Sequence, residues 1–211
     1  MLISRPEIEA AVARIRPHLP VTPLVRTEHF SRKLGANVFF KLETLQPTHS
    51  FKVRGAFNAL MQLPAEQAKR GVITASGGNH GLAVAHAARV PDVPATVYLP
   101  ESATEAKLAA IRLLGPEVII HGVPWDDANA LAMRIANETG RPYIHPFDNR
   151  AVMAGQGTIV TELLQQLPAP RPHRGVDRGR RLDLGHSLRH AALLTGDPRS
   201  SKSYRAIFPT S

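Results

Sequence analysis

Between residues 72 and 144 the chain alternates short β-branched runs with helical apolar patterns, and few folds accommodate that order. Strands are predicted over 72–74, 95–99 and 118–120, helices over 79–89, 104–114 and 126–139, and a last short strand at Tyr143-Ile144. Ser102 and Glu105 have capping-box spacing, while Gly115 and Gly140 are natural helix ends. Short links between unlike elements imply a parallel sheet covered by helices on both faces, wound by right-handed crossovers. Ligands of such sheets bind beyond the carboxyl ends of the strands, where the loops into helices lie.

Upstream, prolines separate the elements. Ser4 and Glu7 have capping-box spacing with Pro6 near the first helical position, and Ile8, Ala11, Val12 and Ile15 give an apolar face that Pro17 and Pro20 end. Thr27 caps a short helix through Leu34, Gly35 stops it, and 38–42 reads as a buried strand. Downstream, residues 151–160 hold Gly155 and Gly157 within a helical pattern. Each glycine there costs about 1 kcal/mol against alanine, so the pair marks close packing or backbone facing a ligand.

Reactive chemistry concentrates in Thr48-His49-Ser50-Phe51-Lys52-Val53-Arg54-Gly55-Ala56. Ser50 is a suitable N-cap and the spacing of Phe51, Ala56, Phe57 and Leu60 is helical, so Lys52 falls in a first turn. Its ammonium there faces the positive end of the helix macrodipole, and burial beside Phe51 and Val53 disfavours the charge further. A neutral amine is what a lysine needs to form a Schiff base with an aldehyde cofactor. From these residues alone, a surface lysine on an amphipathic helix is the plainer reading.

The strand ending at Thr74 runs into Ser76-Gly77-Gly78-Asn79-His80-Gly81. Adjacent glycines let backbone approach a ligand, and the N–H groups opening the next helix make an anion site. A tight connection would look the same. The turn is no Walker loop, since no Gly-Lys-Ser/Thr follows, and it lacks the dinucleotide spacing. His80 alone is more often a packed or solvent-facing histidine than a catalyst.

Composition narrows the field. The absence of cysteine removes disulfide and thiolate chemistry. No run nears the roughly 18 apolar residues of a membrane span, so a cytoplasmic protein without a membrane partner is expected. The net charge of +9 is lopsided: nine Lys and Arg against three Asp lie from Pro168 onward, leaving +3 for the first 167 residues. That body has few aromatics and no basic stripe, so no nucleic-acid partner is expected. No metal site is expected either.

Lys41-Leu42-Glu43, then Gln46-Pro47 with the Lys52 motif, then residues 76–81, His145-Pro146-Phe147-Asp148 and Ala154-Gly155-Gln156-Gly157-Thr158 follow in one order. Together they resemble the threonine/serine dehydratase branch of the fold-type II pyridoxal-phosphate enzymes, from about Thr22 to Leu167. The resemblance implies an α/β fold of the tryptophan synthase β-like kind with a three-layer parallel sheet. It implies pyridoxal 5'-phosphate as cofactor, Lys52 as the Schiff-base lysine and base for the α-proton, Asn79 bonded to the cofactor's 3-hydroxyl, and Phe51 packed by the ring. Ser76, Gly78, Asn79 and His80 would hold the substrate carboxylate through backbone N–H groups and short side chains. The implied reaction is α,β-elimination of L-threonine or L-serine to a 2-oxo acid and ammonia. The family commonly has glycine where His49 stands, which would crowd the approach to Lys52. Racemases of the group carry a serine at the position of Gly77 as a second base; glycine has no proton to give, so serine racemase-type activity is the weaker alternative. Full-length relatives commonly form dimers or tetramers, and the state of this chain stays open.

By the same resemblance residues 1–50 open a large domain, 51–145 form a nearly whole small domain, and 146–167 return to the large one. Residues 168–211 depart from the pattern: where the family continues with a strand and a glycine run cupping the cofactor phosphate, Arg, Pro and Ser dominate, and disorder is expected. Read one nucleotide later, the degenerate codons of Asp177 through Asp183 permit Ile-Gly-Gly-Gly-Gly-Leu. A frameshift near Pro168 with a truncated large domain is therefore expected, a divergent tail being the alternative. A catalytically silent fragment or pseudoenzyme is the main rival to a lyase, because a cofactor without its phosphate cup binds weakly.

Overall fold

The computed structural model describes residues 3–167 and two short strands, Leu194–Thr195 and Tyr204–Arg205, which pair antiparallel. The remaining tail, on which the expectations of disorder and of a frameshift fall, lies outside the described residues. The chain divides into two compact units: Met1–Val21 with Leu45–Ile159, and Thr22–Thr44 with the residues from Val160 onward.

Helix α1, Arg5–Ile15, opens the first unit with the expected capping box: Glu7 Oε2 accepts from the Ser4 amide at 2.9 Å and the Ser4 hydroxyl at 2.6 Å. In the second unit, β1 (Leu24–Arg26) runs antiparallel to β2 (Phe39–Lys41), Val25 opposite Phe40, with α2 (Glu28–Leu34) between them in sequence. Thr27 Oγ1 accepts from the Phe30 amide at 3.5 Å and Gly35, at φ +62°, ends α2 as expected. The strand read over 38–42 is shorter, and Phe39 and Phe40 are only half-buried. β1 carries no sequence signal because three residues behind a proline are too few to show a period. Lys41 is sealed: its ammonium donates to Thr22 O at 2.7 Å and Gln166 Oε1 at 2.7 Å and pairs with Glu162 at 2.5 Å. All three N–H donors are thereby satisfied, without which burying the charge would cost several kcal/mol.

The rest of the first unit holds α3 (Lys52–Leu60), α4 (Ala65–Arg70), β3 (Val72–Ala75), α5 (Asn79–Ala88), β4 (Ala95–Leu99), α6 (Glu105–Arg112), β5 (Glu117–Ile120) and α7 (Trp125–Thr139). Strands β3, β4 and β5 form a parallel sheet in that order, Thr74 opposite Val97 and Val97 opposite Val118. Period-two alternation divides its faces. Ile73, Ala75 and Tyr98 pack on Ala128, Ala132 and Ala136 of α7, while Val97 and Leu99 pack on Ala85 of α5 and Leu108 and Ile111 of α6. Three layers result, as the alternation of elements implied. The last expected strand is reduced to one parallel bridge, Tyr143 to Ile73, closed by Ile144 N to Ile73 O at 2.8 Å and Ile73 N to Pro142 O at 2.9 Å. Ser102 does not cap α6; Thr104 precedes that helix, and the Ser102 hydroxyl donates to Val123 O at 3.2 Å. Helix α4 was not readable, because it buries none of its residues and so has no apolar stripe.

The final helix, α8 (Arg150–Gln166), runs unbroken through both glycines. A Cβ on Gly155 would lie 2.6 Å from Arg54 O and 2.7 Å from Gly55 Cα, and one on Gly55 would lie 2.8 Å from Val152 O. Close packing of α3 on α8 is thus what this glycine serves. Among the described residues no helix is long and apolar enough to cross a membrane.

Candidate active site

Three pieces of the first unit meet beyond the carboxyl end of β3: the start of α3, the turn into α5, and the segment leaving the Tyr143 bridge. Lys52 is the first residue of α3, where the unpaired N–H groups of the helix present their positive end. Ser50 is not the cap. Phe51 takes that position with helical angles, φ −62° and ψ −16°, which moves the open N–H groups one residue beyond the serine's reach. His49 turns the chain just before, at φ +54°, and the buried hydroxyls of Thr48 and Ser50 have no hydrogen-bond partner among the described residues.

The Lys52 amine donates to the carbonyl of Pro146 at 2.9 Å and sits 5.3 Å from the centre of the Phe51 ring. No carboxylate pairs with it among the described residues. Burial pushes its pKa below that of a free lysine, and its hydrogen-bond partner is neutral. The arrangement makes the ammonium form less favourable than it is for a free lysine.

His80 is the second residue of α5 and is buried. Its Nε2 lies 3.0 Å from Ile144 O, and since a carbonyl only accepts, this nitrogen carries the hydrogen. Nδ1 is a buried acceptor with no partner among the described residues. Burial first, and then the charges of Lys52 and His145, hold the imidazole down to about 4, so it is neutral at pH 7. The same Ile144 carbonyl accepts from Thr74 Oγ1 at 2.8 Å.

The turn at 76–78 is stitched by the Gly78 amide, which donates to Ser76 Oγ at 3.2 Å. A side chain at Gly81 would meet Ser76 O at 2.5 Å, so only glycine lets α5 fold back so tightly onto β3. Asn79 opens α5, half-buried, its side chain without a hydrogen bond among the described residues. Lys107 of α6 brings its ammonium to 3.5 Å from where a Gly78 Cβ would stand. Beside it, Trp125 Nε1 donates to Ala75 O at 3.0 Å at the end of β3.

Of the residues singled out from sequence, Ser76, Gly78, Asn79 and His80 share one turn, and Phe51 flanks Lys52. Lys52 and His80 both reach the stretch from Ile144 to Pro146. The side chain of His80 is spent on that stretch, so its backbone is what it has left for a ligand. Thr74, Lys107 and the carbonyl of Pro146 were not read from sequence. Position at a strand's carboxyl end marked Thr74, but nothing local marks a backbone acceptor.

Comparison with known proteins agrees with this geometry. The family model described as pyridoxal-phosphate dependent enzyme matches residues 15–176. An L-threonine ammonia-lyase of Geobacter sulfurreducens is 47% identical over 161 residues, 76% of this chain and 40% of that protein. One of Thermotoga maritima is 40% identical over 167 residues, 79% of this chain and 42% of that one. Among solved structures, maize serine racemase superposes with a TM-score of 0.76 at 34% identity, over 80% of this chain and 51% of that one. The chain spans about two-fifths of the length of the curated relatives it matches. With a lysine opening α3, a glycine turn opening α5 and the family pattern running across both, the chain belongs to the fold-type II pyridoxal-phosphate dependent enzymes.

Proposed function

We propose that this chain carries the reactive-amine half of an L-threonine or L-serine dehydratase, whose reaction eliminates the β-hydroxyl and yields a 2-oxo acid and ammonia. The observation that carries the reading is the Lys52 amine, which donates to the neutral Pro146 carbonyl at 2.9 Å, pairs with no carboxylate among the described residues, and has its pKa lowered by burial. An aldehyde needs such an amine, so the residues present fit that end of pyridoxal phosphate. When bound, the cofactor supplies an electron sink for the substrate's α-carbon.

The chain's own groups then divide the work. Lys52 Nζ would hold the cofactor's aldehyde carbon and would be the base for the substrate's α-proton. The Pro146 carbonyl orients it. The Ser76 hydroxyl and the amides of Asn79 and His80, at the positive end of α5, receive the substrate carboxylate, with Gly78 admitting close approach; the Ser76 and Gly78 amides are already spent on Tyr98 O and Ser76 Oγ. The Asn79 side-chain amide would bond the cofactor's 3-hydroxyl, and Phe51, beside Lys52, would flank its ring. In this reading residues 51–145 are the small domain, and residues 1–50 and 146–167 belong to the large one. The ligand is a small amino acid rather than a nucleic acid, and the setting is the cytoplasm.

Relatives include a racemase, but Gly77 supplies no second base, which favours elimination. A silent fragment is the second reading, favoured by the share of its relatives' length that the chain spans. Incubation with pyridoxal phosphate, borohydride fixation and peptide mass analysis separate the two, together with 2-oxo acid measured from threonine and serine. Fixation on Lys52 with 2-oxo acid formation supports the lyase; fixation alone supports the silent reading. Absence of fixation at saturating cofactor, with Lys52→Ala indistinguishable, overturns the assignment of Lys52.

A further inference from the structure

The carbonyl of Ile144 is gripped by two side chains at once, Thr74 Oγ1 at 2.8 Å and His80 Nε2 at 3.0 Å, while its amide bonds Ile73 O at 2.8 Å. Both gripping residues are buried, Thr74 at 0% and His80 at 2% exposure. Two residues on, the Pro146 carbonyl receives the Lys52 amine at 2.9 Å. The far side of Pro146 is fixed as well: His145 Nδ1 accepts from the Asp148 amide at 2.8 Å and the Phe147 amide at 3.3 Å, and the His145 ring stands edge-on to Phe147 at 4.4 Å.

This is more restraint than a segment tied to the sheet by one bridge obtains from its backbone. Edge segments paired by a single bridge open easily, and the acceptor of a reactive amine on such a segment would wander. Side-chain donors from β3 and α5 remove that freedom. Because His80 sits in the first turn of α5 and Thr74 in β3, they also tie the acceptor to the two elements that frame the glycine turn.

We infer that Thr74 and His80 are positioning residues for Lys52: by holding Ile144 they fix the Pro146 carbonyl, and through it the direction in which the Lys52 amine points. The inference rests on the reading of Lys52 as the reactive amine, yet it concerns the amine before any cofactor arrives. Neither side chain need touch substrate.

The test uses the full chain without cofactor. Reductive methylation with formaldehyde and a mild borohydride is followed at Lys52 by peptide mass analysis across pH, with the exposed Lys69 as internal standard. In Thr74→Val and His80→Gln, the pH midpoint of Lys52 labelling is expected to move up toward that of Lys69, with Thr74→Ser restoring the parent profile. An unchanged Lys52 profile in variants whose circular dichroism matches the parent overturns the inference. Should both variants unfold, the parent decides alone: methylating Lys52 is expected to shift the His80 ring nitrogen resonances, and no shift overturns the inference. Because formaldehyde needs no cofactor site, the clamp is tested even in a chain that fails to take up pyridoxal phosphate.

Discussion

Lys52 and His80, 28 positions apart in sequence, hold carbonyls two residues apart on one segment: the amine is 2.9 Å from Pro146 O and the imidazole 3.0 Å from Ile144 O. One donor is an amine whose pKa burial lowers and the other a neutral imidazole, and the segment between them is held by both.

Replacing Lys52 separates chemistry from folding. Lys52→Met keeps the apolar stem and removes an amine whose burial is unfavourable, so fixation by borohydride is expected to vanish while stability stays within about 1 kcal/mol of the parent. Peptide mass analysis and urea unfolding check the two halves.

His80 makes stability depend on acid. Its folded value of about 4 lies below the ordinary 6.5, so as pH falls the unfolded chain takes up the proton first. Its contribution is complete above pH 6.5 and drains away toward pH 4, on the order of 3 kcal/mol in all. Urea midpoints compared at pH 7 and pH 5 should show this loss in the parent and a smaller one in His80→Gln.

The crossing of α3 and α8 tolerates no side chain. Gly155→Ala gains about 1 kcal/mol of helix propensity. It sets a methyl 2.6 Å from Arg54 O, however, and backbone on that side cannot swing away. Overpacking of this kind costs about 1–3 kcal/mol or more, so a net loss of stability is expected in thermal unfolding.

At Gly77 a Cβ would stand 3.1 Å from the Ala103 methyl and 3.2 Å from the Pro100 ring. Gly77→Ser therefore loads the link between β4 and α6, and is expected to lower the unfolding midpoint without conferring serine racemisation. Chiral chromatography of serine after incubation with pyridoxal phosphate reads the second outcome.

Much of this was legible in sequence for definite reasons. The elements from β3 to α7 announce themselves because the apolar period switches between two and 3.6, and Gly35 and Gly140 stop helices at φ +62° and +64° as expected. Lys52, Phe51, Ser76, Gly78, Asn79 and His80 were visible as a lysine motif and a glycine turn, though their roles came from resemblance. What escaped was tertiary. Ser50 looks like a cap until Phe51 adopts helical angles, and Ser102 looks like one until Val123 claims its hydroxyl. The grip on Ile144 depends on a carbonyl that any residue type would supply, so no letter in the chain marks it.

The enclosure of Lys41 has a counterpart in the openness of Lys52. Three acceptors surround the first amine and exclude solvent, whereas a lone carbonyl steadies the second. An incoming carbonyl compound thus meets one lysine whose proton is held in place by three acceptors and another whose proton is less firmly held, and selectivity between them is settled by folding before any reagent is added.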